Sequence, residues 1–319
     1  MNLSCYRLLL VTMQAQIGRP AGCVVSRRTR TAIVALLAAI VMLASTDCNG
    51  PPETALERLI ESRRLAADLL IQFTKAADAS NRAVMADTDE ASKAFAHEAE
   101  QATQAVDKAA STLAPMLSGL GYAEETGLLE EFKSRFGEYR TLDRNVLELA
   151  VENTNLKAQR MSFGPAQEAA DAFRDSLAAL APVDPVKDTW RMKALAATAI
   201  AAVREIQVLQ APHIAEADDA AMTRLEQRMA TEEGSARSAL ANLGTITEPG
   251  SRPKLAEATA ALDRFKDLNA QIIALSRRNT NVRSLALALG QKRTLSAACE
   301  DRLHALQDAL ANRDFRATR

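Results

Sequence analysis

The sequence predicts an all-α protein: an elongated antiparallel helical bundle in which four short and two long helices form two stacked four-helix bundles. Hydrophobic residues make up 48% of the 319 residues but aromatic residues only 4%, which is typical of helical chains rich in Ala and Leu. Apolar residues recur at helical spacing, and no alternating strand pattern competes with them. A shift of 126 positions superposes one part of the chain on another, which indicates an internal duplication.

The duplication centres on residues 153–155, Asn-Thr-Asn, which recur as residues 279–281. In each copy, one core position of the apolar stripe is occupied by an asparagine, Asn153 or Asn279, and not by a hydrophobic residue. Two readings remain open: the asparagines fix helix register and bond to each other across a pseudo-twofold axis, or they bind a ligand. The equivalent pairs include Tyr139/Phe265, Leu142/Leu268, Val146/Ile272, Leu149/Leu275, Leu156/Val282, Gly164/Gly290, Asp175/Asp301, Leu177/Leu303 and Leu180/Leu306.

Residues 1–48 have the features of a bacterial export signal, and we interpret residues 1–26 as an extension that arises from an early start codon. Arginines precede an uncharged run over residues 31–44 that is short for a membrane span. Cys48, followed by a short tether at 49–52, resembles a lipoprotein acceptor cysteine, although Asp47 departs from the small residue expected there. We therefore expect a protein exported to the periplasm or outer surface and tethered to the membrane by lipid or by an uncleaved signal, with simple cleavage near Ser45 as the alternative.

Helix signals divide the rest into repeat one at about 53–181, repeat two at about 186–310, and a polar tail at 311–319. In repeat one, helices are expected to start near Glu53, at Thr88 as a candidate N-cap, and near Glu124, the last being long. The long helix of repeat one is expected to kink at Gly164-Pro165. Repeat two is expected to kink or break at Pro212 and to begin its long helix at Pro253. Each repeat is therefore predicted to consist of two short helices end to end, followed by one long helix that runs back alongside them. No further apolar membrane span is expected downstream of the signal.

The lengths of the predicted hairpins place polar residues that are far apart in sequence at the same position along the bundle axis. Asp87 and Asn155 are equally far in sequence from the turn at Gly121, one before it and one after it. His213 and Asn281 are likewise equally far from the turn at Thr247, so each pair should lie at the same height in an antiparallel hairpin. The sequence therefore predicts a polar belt at mid-length, between the two bundles. His213 is expected to be a hydrogen-bonding residue of this belt.

Several functions are excluded or disfavoured by composition and spacing. A net charge of −1 with no basic face gives no case for binding nucleic acid. The four cysteines and three histidines have no zinc or disulfide spacing, so no metal site is expected. No nucleophile-base constellation or glycine-rich phosphate loop occurs, so we expect neither catalysis nor a cofactor.

The order of helices, together with residues 83–87 (Ala-Val-Met-Ala-Asp) closing the first helix, resembles the helical bimodular and four-helix-bundle sensor domains of bacterial chemotaxis receptors. The resemblance spans roughly residues 53–310 and implies two stacked bundles that face the periplasm and bind small organic acids between helices. It also implies signalling through the membrane, but this sequence lacks the second span and the signalling helices. A separate membrane receptor or kinase would then be the partner, and pairing of two chains as a homodimer is possible in such domains.

Arg63 is the charged residue that the sequence singles out for a ligand, because it lies between Leu59 and Leu70 on the apolar stripe. A guanidinium facing a bundle interior needs a carboxylate, either from the protein or from a ligand. Arg277, Arg278 and Arg283 read as a solvated face. The expectation is a sensory or solute-binding domain with Arg63, Asn153, Asn279 and His213 as ligand-binding residues; the alternative is a structural spacer or adaptor whose polar belt only sets register.

Overall fold

The computed structural model describes residues 54–313, and within this range the chain is helical almost throughout, with no strand apart from one isolated bridge. This confirms the predicted all-α bundle. The predicted export signal, Cys48, the 49–52 tether and the end of the polar tail lie outside the described residues.

The first copy comprises three helical rods, the last of which is interrupted. Its elements are α1 (Ala55–Met85), α2 (Asp89–Gly119), α3 (Ala123–Glu152), α4 (Thr154–Met161), a π-helical turn (Ser162–Ala166) and α5 (Gln167–Ala178). The second copy repeats this order as α6 (Thr189–Ala215), α7 (Asp219–Ile246), a 3-10 turn (Pro249–Ser251), α8 (Arg252–Arg278), α9 (Thr280–Leu287), a π-helical turn (Ala288–Lys292) and α10 (Arg293–Ala311).

Side-chain caps fix where the short helices begin. Thr54 forms a capping box with Glu57 at the start of α1. The Thr88 hydroxyl accepts from the backbone N–H of Ala91, which confirms the predicted N-cap of α2. Asp218 caps α7 in the same way by accepting from Ala221.

The short helices of each copy form a hairpin, which corrects the prediction that they lie end to end. Only residues 86–88 separate α1 from α2, and the two helices pack along their length because both carry apolar stripes. The first bundle therefore contains α1, α2, α3 and α10. The second contains α5, α6, α7 and α8, so each long rod passes from one bundle into the other. With rods of about 30 residues per bundle, each bundle is about 45 Å long.

The helix breaks also differ from the prediction. Pro212 does not break its helix, because α6 continues to Ala215 and the proline falls near its last turn. The breaks lie in the two long rods, and the kink predicted at Gly164-Pro165 falls within the first π-helical turn. Asn153 and Asn279 each separate two helices with left-handed backbone angles, φ 51° and 53°, and a π-helical turn follows in each copy.

Arg63 lies at the end of the molecule where both described chain ends meet, and it does not face the bundle interior as predicted. Its Nε donates to the carbonyl of Leu310 at 2.9 Å and its Nη2 to the carbonyl of Arg313 at 3.0 Å, so it caps the end of α10. The buried face of α1 is formed by residues such as Leu59, Ser62 and Leu65, and Arg63 lies outside this face and is exposed.

One described helix, α6, is long and apolar enough to cross a membrane by length and composition alone. The sequence pattern predicts no such segment downstream of the signal. In the fold, α6 is a core helix of the second bundle, where it buries Met192, Ala199, Val203, Ile206 and Leu209.

Candidate functional site

The two Asn-Thr-Asn segments, residues 153–155 and 279–281, form reciprocal hydrogen bonds where the long rods cross, and we call this contact the clasp. The backbone N–H of Thr154 donates to the Thr280 hydroxyl at 3.1 Å, and the N–H of Thr280 donates to the Thr154 hydroxyl at 3.2 Å. The N–H of Asn155 and the N–H of Asn281 each donate to the other's side-chain oxygen at 3.1 Å. Because equivalent residues exchange equivalent bonds, the belt has a pseudo-twofold axis.

Asn153 and Asn279 bond across this axis, but not to each other as one reading expected. The Asn153 Oδ1 accepts from Asn281 Nδ2, and the Asn279 Oδ1 accepts from Asn155 Nδ2, both at 2.8 Å. A left-handed backbone puts each asparagine at a helix break, where its side chain can reach the partner segment. Asn279 Nδ2 also donates to the Glu216 carbonyl at 2.7 Å, whereas Asn153 Nδ2 is buried without a protein partner.

His213 lies in this belt, at the end of α6, and is fully buried. Its Nδ1 is 2.8 Å from the Ser276 hydroxyl, and its Nε2 is 2.8 Å from Oε1 of Glu226. Arg277 holds the same carboxylate in a bidentate pair, with Nε 2.6 Å from Oε1 and Nη2 2.9 Å from Oε2. Arg277 therefore belongs to the belt, which corrects its assignment to a solvated face.

The first copy has no such network at the equivalent place. Equivalent residues of the two copies differ by 130 in residue number in the short-helix hairpins and by 126 in the long rods. The counterparts of His213, Glu226, Ser276 and Arg277 are Ala83, Ala96, Ala150 and Val151, and the three alanines are buried. The buried His213-Glu226-Arg277 network therefore has no counterpart in the first copy, where the Ser92 hydroxyl instead donates to the carbonyls of Ala83 and Ala150.

A second polar layer lies inside the first bundle, and its centre is a lysine on the π-helical turn. Lys292 is 2% exposed, and its Nζ lies 2.8 Å from Oδ1 of the equally buried Asp143. The Ser80 hydroxyl donates to the same carboxylate oxygen at 2.6 Å and accepts from Lys292 Nζ. The third donor of the ammonium goes to Oδ1 of the exposed Asn81, at 3.3 Å.

The equivalent layer of the second bundle is neutral. Asn269 stands where the first bundle has Asp143, Gln210 where it has Ser80, and Ala166 where it has Lys292. Ser162 donates to Gln210 at 2.6 Å, and Gln210 donates to Asn269 at 2.8 Å. The duplication has kept a buried polar layer in each bundle but has placed an ion pair in only one of them.

The surroundings of the ion pair are apolar and aromatic. Tyr139 packs edge-on against Phe73, with 5.1 Å between ring centroids, and the Lys292 ammonium lies 5.9 Å from the Tyr139 ring. Burial lowers the pKa of Lys292 and Asp143 opposes that shift, while burial raises the pKa of the Tyr139 hydroxyl. The layer therefore holds a charge pair at a desolvation cost.

A groove of about 580 Å³ runs along the outside of this layer, between α1 and the rod formed by α9, the π-helical turn and α10. Its floor includes Lys292 and its mouth includes Asn81. Half of its lining residues are apolar, and Met85 and Leu289 are 71% and 65% exposed there. The lining also includes the charged residues Asp78, Arg293 and Glu300. A smaller groove of about 370 Å³, lined by Asp143, lies between α2 and α3. Each member of the ion pair thus lines a different groove.

The four predicted ligand-binding residues do not form one site. Asn153, Asn279 and His213 belong to the belt and have protein partners, while Arg63 lies at the end of the first bundle. Within residues 54–313, no group of three or more His, Cys, Asp or Glu side chains could hold a metal ion.

Lys292 and Asp143 are not among the predicted site residues, although the sequence contains a signal for both. Lys292 lies three residues before Leu295 and seven before the buried Cys299, and Asp143 lies between Tyr139 and Val146 at spacings of four and three. These positions are on the buried face, so each is a charge on an apolar stripe.

Comparisons of the chain with protein-family models, with curated proteins and with solved structures find no match. The geometry of the described residues is therefore the basis for assigning a function.

The unequal bonding of the two belt asparagines generates a prediction. Replacing Asn279 with Ala should lower the free energy of unfolding by about 1 kcal/mol more than replacing Asn153 with Ala, because only Asn279 loses an additional hydrogen bond, to Glu216. Both variants share the cost of a left-handed alanine, so that cost cancels in the comparison. Urea unfolding of the two variants measures the difference, and equal losses would contradict it.

The buried ion pair generates a second prediction. Lys292→Met and Asp143→Leu should each destabilise the protein by about 3–5 kcal/mol, because each leaves one buried charge unpaired. The double variant should recover most of the loss, since neither buried charge remains and only the Ser80 hydroxyl of the layer loses its partners. Chemical unfolding of the three variants tests this, and additive losses in the double variant would show that the charges do not depend on each other.

The second belt network generates a pH prediction. Hydrogen bonds from Arg277 hold the pKa of the Glu226 carboxyl below its ordinary value against the cost of burial, and His213 acts in the same direction as Arg277. A lowered folded-state pKa contributes stability above the unfolded value, near 4.3, that is lost as pH falls through the folded value. The stability advantage of wild type over Glu226→Gln should therefore be full at pH 6 and fade in more acidic solution. Unfolding at several pH values measures it; the same pH dependence in an Arg277→Met background would contradict the stated cause.

Proposed function

We propose that this protein is an exported sensory or solute-binding domain that binds a small organic acid in the groove over Lys292 and acts through a separate membrane receptor or kinase. The observation that carries the proposal is the buried Lys292 ammonium, one of whose three donors is committed only to the exposed Asn81 at 3.3 Å. In this proposal the protein is not an enzyme, and its N-terminal segment tethers it to the membrane.

The hydrogen-bond acceptors around the Lys292 ammonium support an anionic ligand. Asp143 and Ser80 lie inside the bundle and hold two of its donors, whereas Asn81 is a neutral acceptor at the mouth of the groove. The Asn81 contact is the longest of the three and can be given up by rotation of an exposed side chain. A carboxylate oxygen taking that position would gain a charge-assisted hydrogen bond in an environment of low polarity.

The walls of the groove support an apolar body on such a ligand. Val84, Met85, Leu285, Ala288 and Leu289 border the space beside Lys292, and a volume of about 580 Å³ is in the range of small-molecule sites. The position of Lys292 at the end of a π-helical turn adds to the argument, because such turns are frequent at functional sites.

The second candidate function is a structural spacer or adaptor, and a specific observation favours it. Arg63, Asn153, Asn279 and His213 all bond within the protein, as a register-setting belt and a helix cap require. This candidate accounts for the belt but gives no role to a buried charge pair in only one of two duplicated layers.

The proposal is tested by thermal unfolding of the full chain with a panel of acetate, hexanoate, benzoate, succinate, citrate and free amino acids. A compound present at about one hundred times its dissociation constant should add about 2.7 kcal/mol and raise the unfolding midpoint by a few degrees. The double variant Asp143→Asn and Lys292→Ala, which installs the residues of the second bundle, should lose the shift.

The duplication supplies a matched control for this experiment. Leu289 and Phe163 are equivalent positions, both exposed, but only Leu289 lines the groove. Leu289→Ala should therefore reduce the midpoint shift and Phe163→Ala should leave it unchanged. No shift with any compound, or a full shift in the Lys292 double variant, would reject the groove as the site and leave the spacer candidate ahead.

A further inference from the structure

The end of the second bundle carries an ordered apolar tip that the proposed ligand site does not use. The tip consists of residues 179–193, which connect the two copies, together with the facing turn at residues 246–252. Both described chain ends lie at the opposite end of the molecule, where Arg63 meets Leu310 and Arg313 meets Glu125. The tip is thus about two bundle lengths, or about 90 Å, from the chain ends.

Hydrogen bonds hold the backbone of the tip in a defined shape. The N–H of Val183 donates to the Ile246 carbonyl at 3.0 Å, and the N–H of Glu248 donates to the Ala181 carbonyl at 3.2 Å. The Asp184 carboxylate accepts from the N–H groups of Val186 and Lys187 at 3.0 and 3.1 Å. The apolar side chains of the tip therefore project from a fixed loop.

Three large apolar side chains project from this loop into solvent. Val183, Val186 and Trp190 are 58%, 94% and 71% exposed, and Trp190 is the only tryptophan of the chain. An apolar groove of about 360 Å³ between the end of α5 and the start of α6 lies beside them. Solvent exposure of three such side chains within eight residues is a feature of contact sites.

The charges around the tip favour an anionic surface. Lys187, Arg191, Lys193 and Arg252 are exposed and form no ion pair within the described part of the chain. The tip also contains Asp184, Asp188 and Glu248, so its four basic residues exceed its acidic residues by one. The Asp184 carboxylate accepts from two backbone N–H groups. In a chain with a net charge of −1, the end of the rod therefore presents available cations around its exposed apolar residues.

The shape of the tip distinguishes a membrane from a protein partner. A stable protein interface buries about 800 Å² on each partner, which a narrow loop with three projecting side chains does not offer. A bilayer needs no complementary surface: valines enter the acyl region, tryptophan lies at the headgroup level, and lysine and arginine contact phosphates. We propose that this tip is a docking site for an anionic lipid bilayer, inserted through Val183, Val186 and Trp190.

The test uses the full chain with vesicles of phosphatidylcholine, with and without phosphatidylglycerol. Trp190 emission reports the tip alone because the chain has no other tryptophan. Anionic vesicles should shift the emission to shorter wavelength and protect it from acrylamide, with about tenfold weaker binding to neutral vesicles. Bromine-labelled acyl chains should quench the emission.

Val186→Asp should abolish the emission shift, and Ile71→Asp should not, because Ile71 is an exposed apolar residue of α1, remote from the tip. Co-sedimentation separates this site from binding by the N-terminal segment. Unchanged Trp190 emission in a chain that co-sediments with vesicles would overturn the proposal. A shift produced by a protein extract but by neither vesicle composition would also overturn it and assign the tip to a protein partner.

Discussion

The reciprocal bonds between Thr154 and Thr280, and between Asn155 and Asn281, are the constraint on which the two-bundle architecture depends. Each long rod must leave one four-helix bundle and enter the other, and the two rods cross at a single height. A break in a helix exposes backbone donors, which are costly to bury without partners. The clasp resolves this problem because each rod supplies the acceptors that the break in the other requires.

This exchange of bonds also explains why the two copies could diverge elsewhere. Once the crossing is fixed by backbone and short side chains, the adjoining layers need only be filled and hydrogen-bonded. The belt contains His213 and Glu226 on one side and buried alanines on the other, while the inner layer contains an ion pair in the first bundle and an amide pair in the second. The symmetry is strict in the reciprocal bonds of Thr154, Asn155, Thr280 and Asn281, and it is relaxed elsewhere: the equivalent positions Glu152 and Arg278 differ and form an ion pair with each other.

The sequence predicts the helices, the duplication and the height of the belt, because these depend on local periodicity and on counting residues. It does not predict that α1 and α2 form a hairpin, since the same stripes fit an end-to-end arrangement. The phase of a stripe matters as much as its period: Arg63 lies just off the buried face, whereas Asp143 and Lys292 lie on it. The left-handed asparagines could be flagged as special positions, but their partners depend on a tertiary crossing.

The presence of Lys292 and Asp143 in a buried layer whose duplicate contains no charges is the strongest argument for the proposed site in the first bundle. Burying an ion pair gives little net stability, because desolvation offsets the attraction, and the second bundle fills the same layer with neutral amides. A need for stability alone would therefore not select the pair. The proposed role in the groove would, because an ammonium held by Asp143 and Ser80 offers a fixed, desolvated donor to an anion that displaces Asn81.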